Sequence, residues 1–427
     1  MSKRGSVWFC MIVIIVVMFY GLTPMVAEQD SVYRTYAPLI EVDALIHREY
    51  VAPIRRMGLV DGAIRGMLFE LDRYSGYVSA DEMPSFERHK SGAYVGIGVV
   101  IGVVNGAITV IAPFEDGPAM RAGVEAGDVI LTVAGHSTKD LSVFDVEGIL
   151  VGAPDTSVTA RFRRPSGERF DVDVMRSRVH RRPIKGYIHD SETGWDYWVS
   201  REPRIAYIRV TEFIEGMIDD FDEAVGTVRE QGAKGLIIDL RFNPGGLLAQ
   251  AVALLNRFID SGTLVSTVTR WEAVQTYAAT AEGTMEPIPV AVLVNGWSAS
   301  SSEIVSGSLQ DHGRAIIVGE RTFGKGSVQD FIELQGGRAG VKLTVAYYQL
   351  PSGRIIHKTP SNADTKRWGV WPDVEVPITV AERAAIHRAR ADVGSVGDHV
   401  DRQLRAAIDA LVPLIESREG GDGLSGE

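Results

Sequence analysis

Val290-Ala291-Val292-Leu293-Val294-Asn295-Gly296-Trp297-Ser298-Ala299-Ser300-Ser301-Ser302-Glu303 runs from an apolar stretch, through an Asn-Gly pair, into a cluster of serines. An uninterrupted apolar run of this length bounded by a turn signal reads as a strand buried on both faces, as in a parallel sheet. The serines that follow open a helix over Ser301–Leu309. Working outward, the same strand–helix alternation recurs. Ile205–Val210, Gly235–Leu240, Leu264–Thr269 and Ala315–Val318 read as strands, and Met217–Glu230 and Leu247–Phe258 as helices. That alternation predicts an α/β layer with a partly parallel sheet. Ser327–Leu334 and Gly340–Leu350 alternate like paired strands, and Ile378–Ser417 reads as mostly helical before a polar tail.

Toward the N-terminus the period changes to two. Val95–Val104, Ala107–Ala112, Asp128–Val133, Ser157–Arg163 and Arg169–Met175 are strand candidates separated by Asn-Gly, Gly-Pro and Pro-Ser-Gly turns. Short helices fit Ala119–Arg121 and Ser142–Leu150, giving a mostly β module of about 85 residues. Residues 181–203 form a polar and aromatic connector without a clear period. Apolar spacing over Val32–Ile46 and Val60–Leu71 predicts two helices, and Asp72-Arg73-Tyr74-Ser75-Gly76 reads as a turn. At the start, Lys3 and Arg4 precede the apolar run Val7–Tyr20, and no further charge occurs before Glu28. This is the pattern of an export signal or anchor, about the ~20 residues that span a bilayer. Met25 fits poorly at the −3 position of a cleavage site, so an uncleaved anchor is the expectation and a cleaved signal the alternative.

A chain of 427 residues exceeds one simple core, so several domains are expected. The net charge of −11 disfavours nucleic acid as a partner. The single cysteine, Cys10, lies in the apolar leader, which excludes an intrachain disulfide and a thiol nucleophile in the folded part.

Three segments carry chemistry. A serine placed where a strand turns into a helix has its hydroxyl near unpaired N–H groups that favour developing negative charge. Serines are also good helix caps, so this segment alone leaves both roles open. Thr322-Phe323-Gly324-Lys325-Gly326-Ser327-Val328-Gln329 sets a lysine between two glycines. Such a backbone can approach another segment closely, and a lysine buried there would lose its charge readily and serve as a base. Asp239-Leu240-Arg241-Phe242-Asn243-Pro244-Gly245-Gly246 ends a buried strand in a Pro-Gly-Gly turn whose N–H groups could face an oxyanion, or simply make a tight turn.

Gly319–Lys325 matches phosphate-loop spacing, but Gly326 stands where a Mg²⁺-binding hydroxyl is needed, and a strand pattern follows instead of a helix. Gly96, Gly98 and Gly102 miss the dinucleotide spacing, and no histidine pair has metal-ligand spacing.

Taken together, these segments resemble the carboxy-terminal processing (tail-specific) protease family, over about residues 35–380. The resemblance implies a multidomain α/β fold: an N-terminal helical region, a PDZ-like mostly-β domain, a crotonase-like ββα protease core, and C-terminal helices. It implies a serine endopeptidase with Ser300 as nucleophile, Lys325 as its base and Gln329 orienting that lysine. The oxyanion hole would use the N–H of Ser301 and of Gly245 or Gly246. Residues 92–177 look like the family's PDZ domain, with Val95, Gly96, Ile97 and Gly98 as the carboxylate-binding loop that holds a chain terminus. Asp311 matches a family aspartate expected near the dyad, where a structural role is the expectation because Ser–Lys chemistry needs no third acidic member. No cofactor or metal is implied.

The resulting expectations are a leader over 1–27, a helical region over 28–88, a PDZ domain over 89–178, the core over 179–380 and a C-terminal helix and tail over 381–427. Substrates are proteins or peptides with exposed C-termini, captured by the PDZ domain and extended beside the strand near Lys342–Tyr348. The membrane is met through residues 5–27, in the cell envelope facing or exported to the periplasm. Terminal helices offer surfaces for self-association or an activating adaptor protein. The alternative function is a non-catalytic PDZ scaffold that binds tails without cutting them.

Overall fold

The computed structural model describes residues 33–83, 86, 95–114, 117–178, 183–190, 194–272, 274–334, 336–359, 361–391 and 401–422. The leader expected over 1–27 lies outside the described residues. Among those described, no helix is long and apolar enough to cross a membrane.

The chain divides into two units, 1–67 and 68–427. The first holds helix α1 (33–49) and most of α2 (Arg56–Phe69). Asp43 receives Arg56 Nε at 3.1 Å. Tyr36, Leu39, Ile40 and Leu45, the apolar face expected from their spacing, are exposed.

The second unit begins where the helical expectation for 28–88 fails. Residues Gly76–Val78 form strand β1, which pairs antiparallel with residues Gly340–Lys342 of the core. Three residues are too few for an alternating pattern to register in the sequence. The mostly β module follows: β2 (Val95–Gly96), β3 (Val99–Val104), β4 (Ala107–Pro113), α3 (Pro118–Arg121), β5 (Val129–Val133), β6 (His136–Ser137), α4 (Val143–Leu150), β7 (Ser157–Arg163), β8 (Arg169–Met175) and β9 (Ser177–Arg178). The single strand expected over Val95–Val104 is broken at Gly98, whose φ of 76° leaves the extended region. Its sheet has the order β3-β4-β5-β7-β8, so β3 is an edge. Ser142 caps α4 through a reciprocal pair with Asp145. Ile101, Val110, Ile130, Val146, Leu150 and Phe162 fill a core separate from that of the α/β layer.

The connector over 181–203 is not irregular. It contains β10 (Ile184–Lys185), β11 (Ile188–Asp190), β12 (Gly194–Asp196) and β13 (Trp198–Arg201). The α/β layer is then β14 (Arg204–Val210), α5 (Met217–Glu230), β15 (Gly235–Asp239), α6 (Leu248–Asn256), β16 (Thr263–Thr269), β17 (Val274–Ala278), β18 (Val290–Val294), α7 (Ser301–Asp311), β19 (Ile316–Gly319), β20 (Ser327–Leu334), β21 (Ala339–Gln349), β22 (Val374–Glu375), α8 (Val380–Ala391) and α9 (Arg402–Asp422).

Strands β14, β15, β18, β19 and β22 are parallel neighbours in one sheet. Their side chains divide by alternation. Val290, Val292 and Val294 meet α5, α6 and α7 on one face, whereas Ala291 and Leu293 meet α9 through Leu404, Ala407, Leu411 and Ile415 on the other. Burial on both faces is why β18 is apolar throughout. The second sheet has the order β1-β21-β16-β17, with β20 also on β21. Strand β21 therefore has β20 along one edge and β1 and β16 along the other. The stretch Lys342–Tyr348 offers no continuous free edge for a substrate tail, which corrects that expectation.

Candidate active site

The three segments singled out in the sequence leave the carboxyl ends of three adjacent parallel strands, β15, β18 and β19. In open α/β sheets this end is where ligands bind, because loops converge there and helix N-termini point at it. The fold thus collects residues 239–246, 295–303 and 319–325 at one edge.

One main-chain bond and several from side chain to main chain hold them together. Asn243 O accepts from Ala299 N at 3.0 Å and from Ser302 Oγ at 2.9 Å. Ser298 Oγ donates to Leu240 O at 2.8 Å, and Ser301 Oγ to Gly246 O at 2.9 Å. Three of the four clustered hydroxyls are thereby committed to the neighbouring turn. The Ser300 hydroxyl donates to no acceptor among the described residues. Ser300 also has φ 55° and ψ −116°, a strained backbone at the N-terminus of α7. Strain of order 1–3 kcal/mol persists only where surrounding bonds over-determine the conformation.

Glu303 joins this segment to the lysine loop. Its carboxylate is fully buried and accepts from Ser300 N at 3.0 Å, Gly324 N at 2.7 Å, Lys325 N at 2.8 Å and Thr322 Oγ1 at 2.6 Å. Burial pushes its pKa up to about 7 against the pull of those four donors. The same donors leave no cradle for phosphate at Gly324 and Lys325. The glycines flanking Lys325 are required by close approach. A Cβ on Gly324 would stand 2.7 Å from the Trp368 ring, and one on Gly326 2.7 Å from His357 N.

Burial of the Lys325 amine, with the charge of Lys342 beside it, lowers its pKa to about 8, against opposing effects of Glu147 and Glu303. The amine lies 5.1 Å from the centroid of the Tyr74 ring. Among the described residues no hydrogen bond joins it to Ser300 Oγ. Catalytic hydrogen bonds are often open until substrate binds. Gln329 Nε2 donates to Ser327 Oγ at 2.9 Å and Thr344 Oγ1 at 3.3 Å, so the expected bond to Lys325 is not formed here.

The two oxyanion candidates separate. Gly245 N donates to Asn243 Oδ1 at 2.8 Å and is occupied. Gly246 N and Ser301 N have no acceptor among the described residues. A Cβ on Gly246 would stand 2.2 Å from Phe213 O, so only glycine fits.

In the PDZ-like module, Gly96, Ile97 and Gly98 are buried. Their carbonyls are anchored: Ala119 N donates to Ile97 O at 2.7 Å and Phe114 N to Gly98 O at 2.9 Å. The N–H groups of Ile97 and Gly98 have no described acceptor and sit at the start of the edge strand β3. Trp297 of the core packs with Ala112 and Ala126 of the module. A cavity of about 690 Å³ opens between Val104–Gly106 of its hairpin and Trp297, Arg321, Phe323 and Trp368.

Asp311 pairs with Arg354 at 3.0 Å and accepts from Ser352 N, at the far end of α7 from Ser300. His312 Nε2 lies 2.8 Å from Thr263 O. Among the described residues no cluster of three or more His, Cys, Asp or Glu could hold a metal ion. Sequence reasoning gave no role to Glu303 or Arg241. Arg241 is buried between Asp239 and Asp401, at 2.7 Å and 2.8 Å, and so pins the 239–246 turn to α9. Their signal was present, since charged residues inside otherwise buried segments demand partners.

Comparison with known proteins gives the family of the chain. The model of peptidase family S41 matches residues 204–376, and a PDZ-domain model matches residues 109–164. The chain is 31% identical over 362 residues to a carboxy-terminal-processing protease of Bartonella bacilliformis, covering 83% of this chain and 78% of that protein. It is 29% identical over 432 residues to a carboxyl-terminal-processing protease of Picosynechococcus, covering 96% and 97%. Among solved structures, a photosystem II D1 C-terminal processing protease superimposes with TM-score 0.65 at 28% identity, covering 83% of this chain and 96% of that one.

Proposed function

The chain belongs to the carboxy-terminal processing proteases of peptidase family S41 and is a serine-type peptidase with a PDZ domain, and on that premise we propose that Ser300 is its nucleophile and Lys325 its general base. One observation carries the reading: the Glu303 carboxylate accepts the N–H of Ser300 and of Lys325, residues from separate loops. That bridge fixes the two backbones to one carboxylate, and the Lys325 amine, its pKa lowered to about 8 by burial, has a substantial neutral fraction at that pH.

Neutral Lys325 takes the Ser300 proton as Oγ attacks the scissile carbonyl. The N–H groups of Ser301 and Gly246 receive the oxyanion, with Gly245 shaping the turn. The protonated amine returns its proton to the leaving nitrogen, and water then frees the acyl-enzyme by the same relay. In this reading Gln329 orients the amine.

The PDZ domain captures the substrate's C-terminus. Support comes from the N–H groups of Ile97 and Gly98, which have no acceptor among the described residues, and from the position of β3 at the edge of its sheet, where a tail adds as a strand. Val95 and Gly96 complete the loop. In this reading the domains are 28–88, 89–178, 179–380 and 381–427, with Gly76–Val78 contributed back to the core sheet. The basic flank and apolar run over residues 3–27 support a chain tethered to a membrane or exported across it, facing the periplasm.

The test is peptide cleavage by wild type, Ser300→Ala and Lys325→Ala, with melting curves alongside. Both variants fold and lose at least about 10³-fold in kcat/KM. Full turnover by either variant would remove the assignment. A wild type that binds tails and leaves them whole would favour the scaffold.

A further inference from the structure

The turn Asp72–Gly76 was legible in the sequence and has no part in the reaction as proposed above. It lies between the PDZ module and the catalytic lysine. Asp72 Oδ1 accepts from Tyr74 N at 2.6 Å and Ser75 N at 2.7 Å, which fixes the turn internally. On the core side, Thr344 N donates to Ser75 Oγ at 3.2 Å, and β1 joins β21. On the PDZ side, Val143 N donates to Arg73 O at 3.0 Å, and Arg73 Nη1 to Lys139 O at 3.2 Å. Tyr74 packs on the PDZ core, and its buried hydroxyl lies toward the main chain of Val103, on the edge strand β3. The face of the same ring receives Lys325 Nζ at 5.1 Å.

We propose that Tyr74 is a positioning residue for the base: its ring holds the Lys325 ammonium away from Ser300, and the turn that carries it ties that hold to the PDZ domain. An aromatic face attracts an ammonium and not a neutral amine. Loss of the proton therefore releases Lys325 toward Ser300 Oγ. The ring opposes the burial that favours the neutral amine, and so sets the pH at which the base becomes available. The other charged or titratable groups around the amine are Lys342 on β21, Glu147 on α4, Glu303 on α7 and His357, with Asp72 beside Tyr74. All of these remain in the variants below.

The inference rests on Lys325 being the base, and the experiment separates the two. The pH dependence of kcat/KM is measured for wild type, Tyr74→Leu, Tyr74→Phe and Lys325→Ala. Leucine keeps an apolar wall and removes the π face, so its acidic limb moves to lower pH by roughly 0.4 to 1.5 units. Phenylalanine keeps the face, and its limb overlays wild type. Tyr74→Met carries the same expectation as leucine if the leucine variant melts early. A leucine or methionine limb that overlays wild type or moves upward overturns the role of Tyr74, as does a phenylalanine limb displaced as far as leucine's. Wild-type turnover by Lys325→Ala overturns the base assignment itself.

Discussion

The junction of Ser300 with Lys325 and the PDZ-module loop at Ile97 and Gly98 both present N–H groups with no acceptor among the described residues, yet they are built differently. At the junction, strands far apart in sequence meet and are held chiefly by buried side chains: Glu303 bridges Ser300 to Thr322–Lys325, and the Asn243 amide bridges Val210 and Gly245 while its main-chain carbonyl accepts from Ala299 N. In the PDZ loop, main chain is anchored to nearby main chain, as in the Ala119 to Ile97 and Phe114 to Gly98 bonds. The difference teaches where each region tolerates change. A site held by one buried carboxylate fails when that carboxylate is lost. A site held by backbone is largely indifferent to the side chains it carries, apart from glycines at special φ.

The sharpest way to break the comparison is Glu303→Ala. It leaves four buried donors unpaired. The expected cost is about 3–5 kcal/mol in denaturant melts and loss of turnover beyond about 10³-fold. A variant with wild-type turnover would show that the junction needs no clamp.

Gly246→Ala against Gly98→Ala comes next. The first clashes with Phe213 O at 2.2 Å and is expected to abolish cleavage. The second places a side chain at a φ of 76°, at about 1–2 kcal/mol, and is expected to leave kcat within a few-fold. Equal damage from both, read by melting and by kcat, would erase the distinction.

The pH profile sharpens the electrostatic side. A lysine lowered to about 8 must be neutral to act, so kcat/KM rises with pH and levels off above that value. In the unfolded chain the lysine binds its proton up to its ordinary pKa of 10.5. The unfolded state therefore holds more protons between about 8 and 10.5, and this group contributes stability that grows with pH across that window. The Ser300→Ala melt read against Lys325→Met isolates that contribution.

The smallest effect is expected at the PDZ loop. Amidating the C-terminus of a peptide substrate removes the charge that Ile97 and Gly98 are proposed to hold. KM rises about tenfold with kcat unchanged, because uniform binding is lost and not transition-state binding. A fall in kcat alone would mean that the loop acts on the chemistry.

Much of this was open to a reader of the sequence. The apolar strand Val290–Val294, the glycines around Lys325 and the Pro-Gly-Gly turn each announce a local conformation, because burial on two faces and close backbone approach constrain composition directly. The strand Gly76–Val78, the pairs in 184–201 and the edge strand Val274–Ala278 were hidden. These are either too short to show a period or are paired by partners distant in the chain, and β pairing is set by those partners more than by intrinsic preference.

What the sequence by itself determined is the set of chemical groups and their local geometry: a serine at a strand-to-helix turn, a lysine in a glycine-framed loop, a glycine pair after a buried strand. Only the tertiary structure decided which serine hydroxyl donates to no acceptor and which glycine N–H finds none among the described residues, and that Glu303 accepts the Lys325 N–H while the Tyr74 ring faces its amine. Those outcomes depend on hydrogen bonds and ring contacts between segments far apart in the chain. No window of neighbouring residues contains both partners of such a contact.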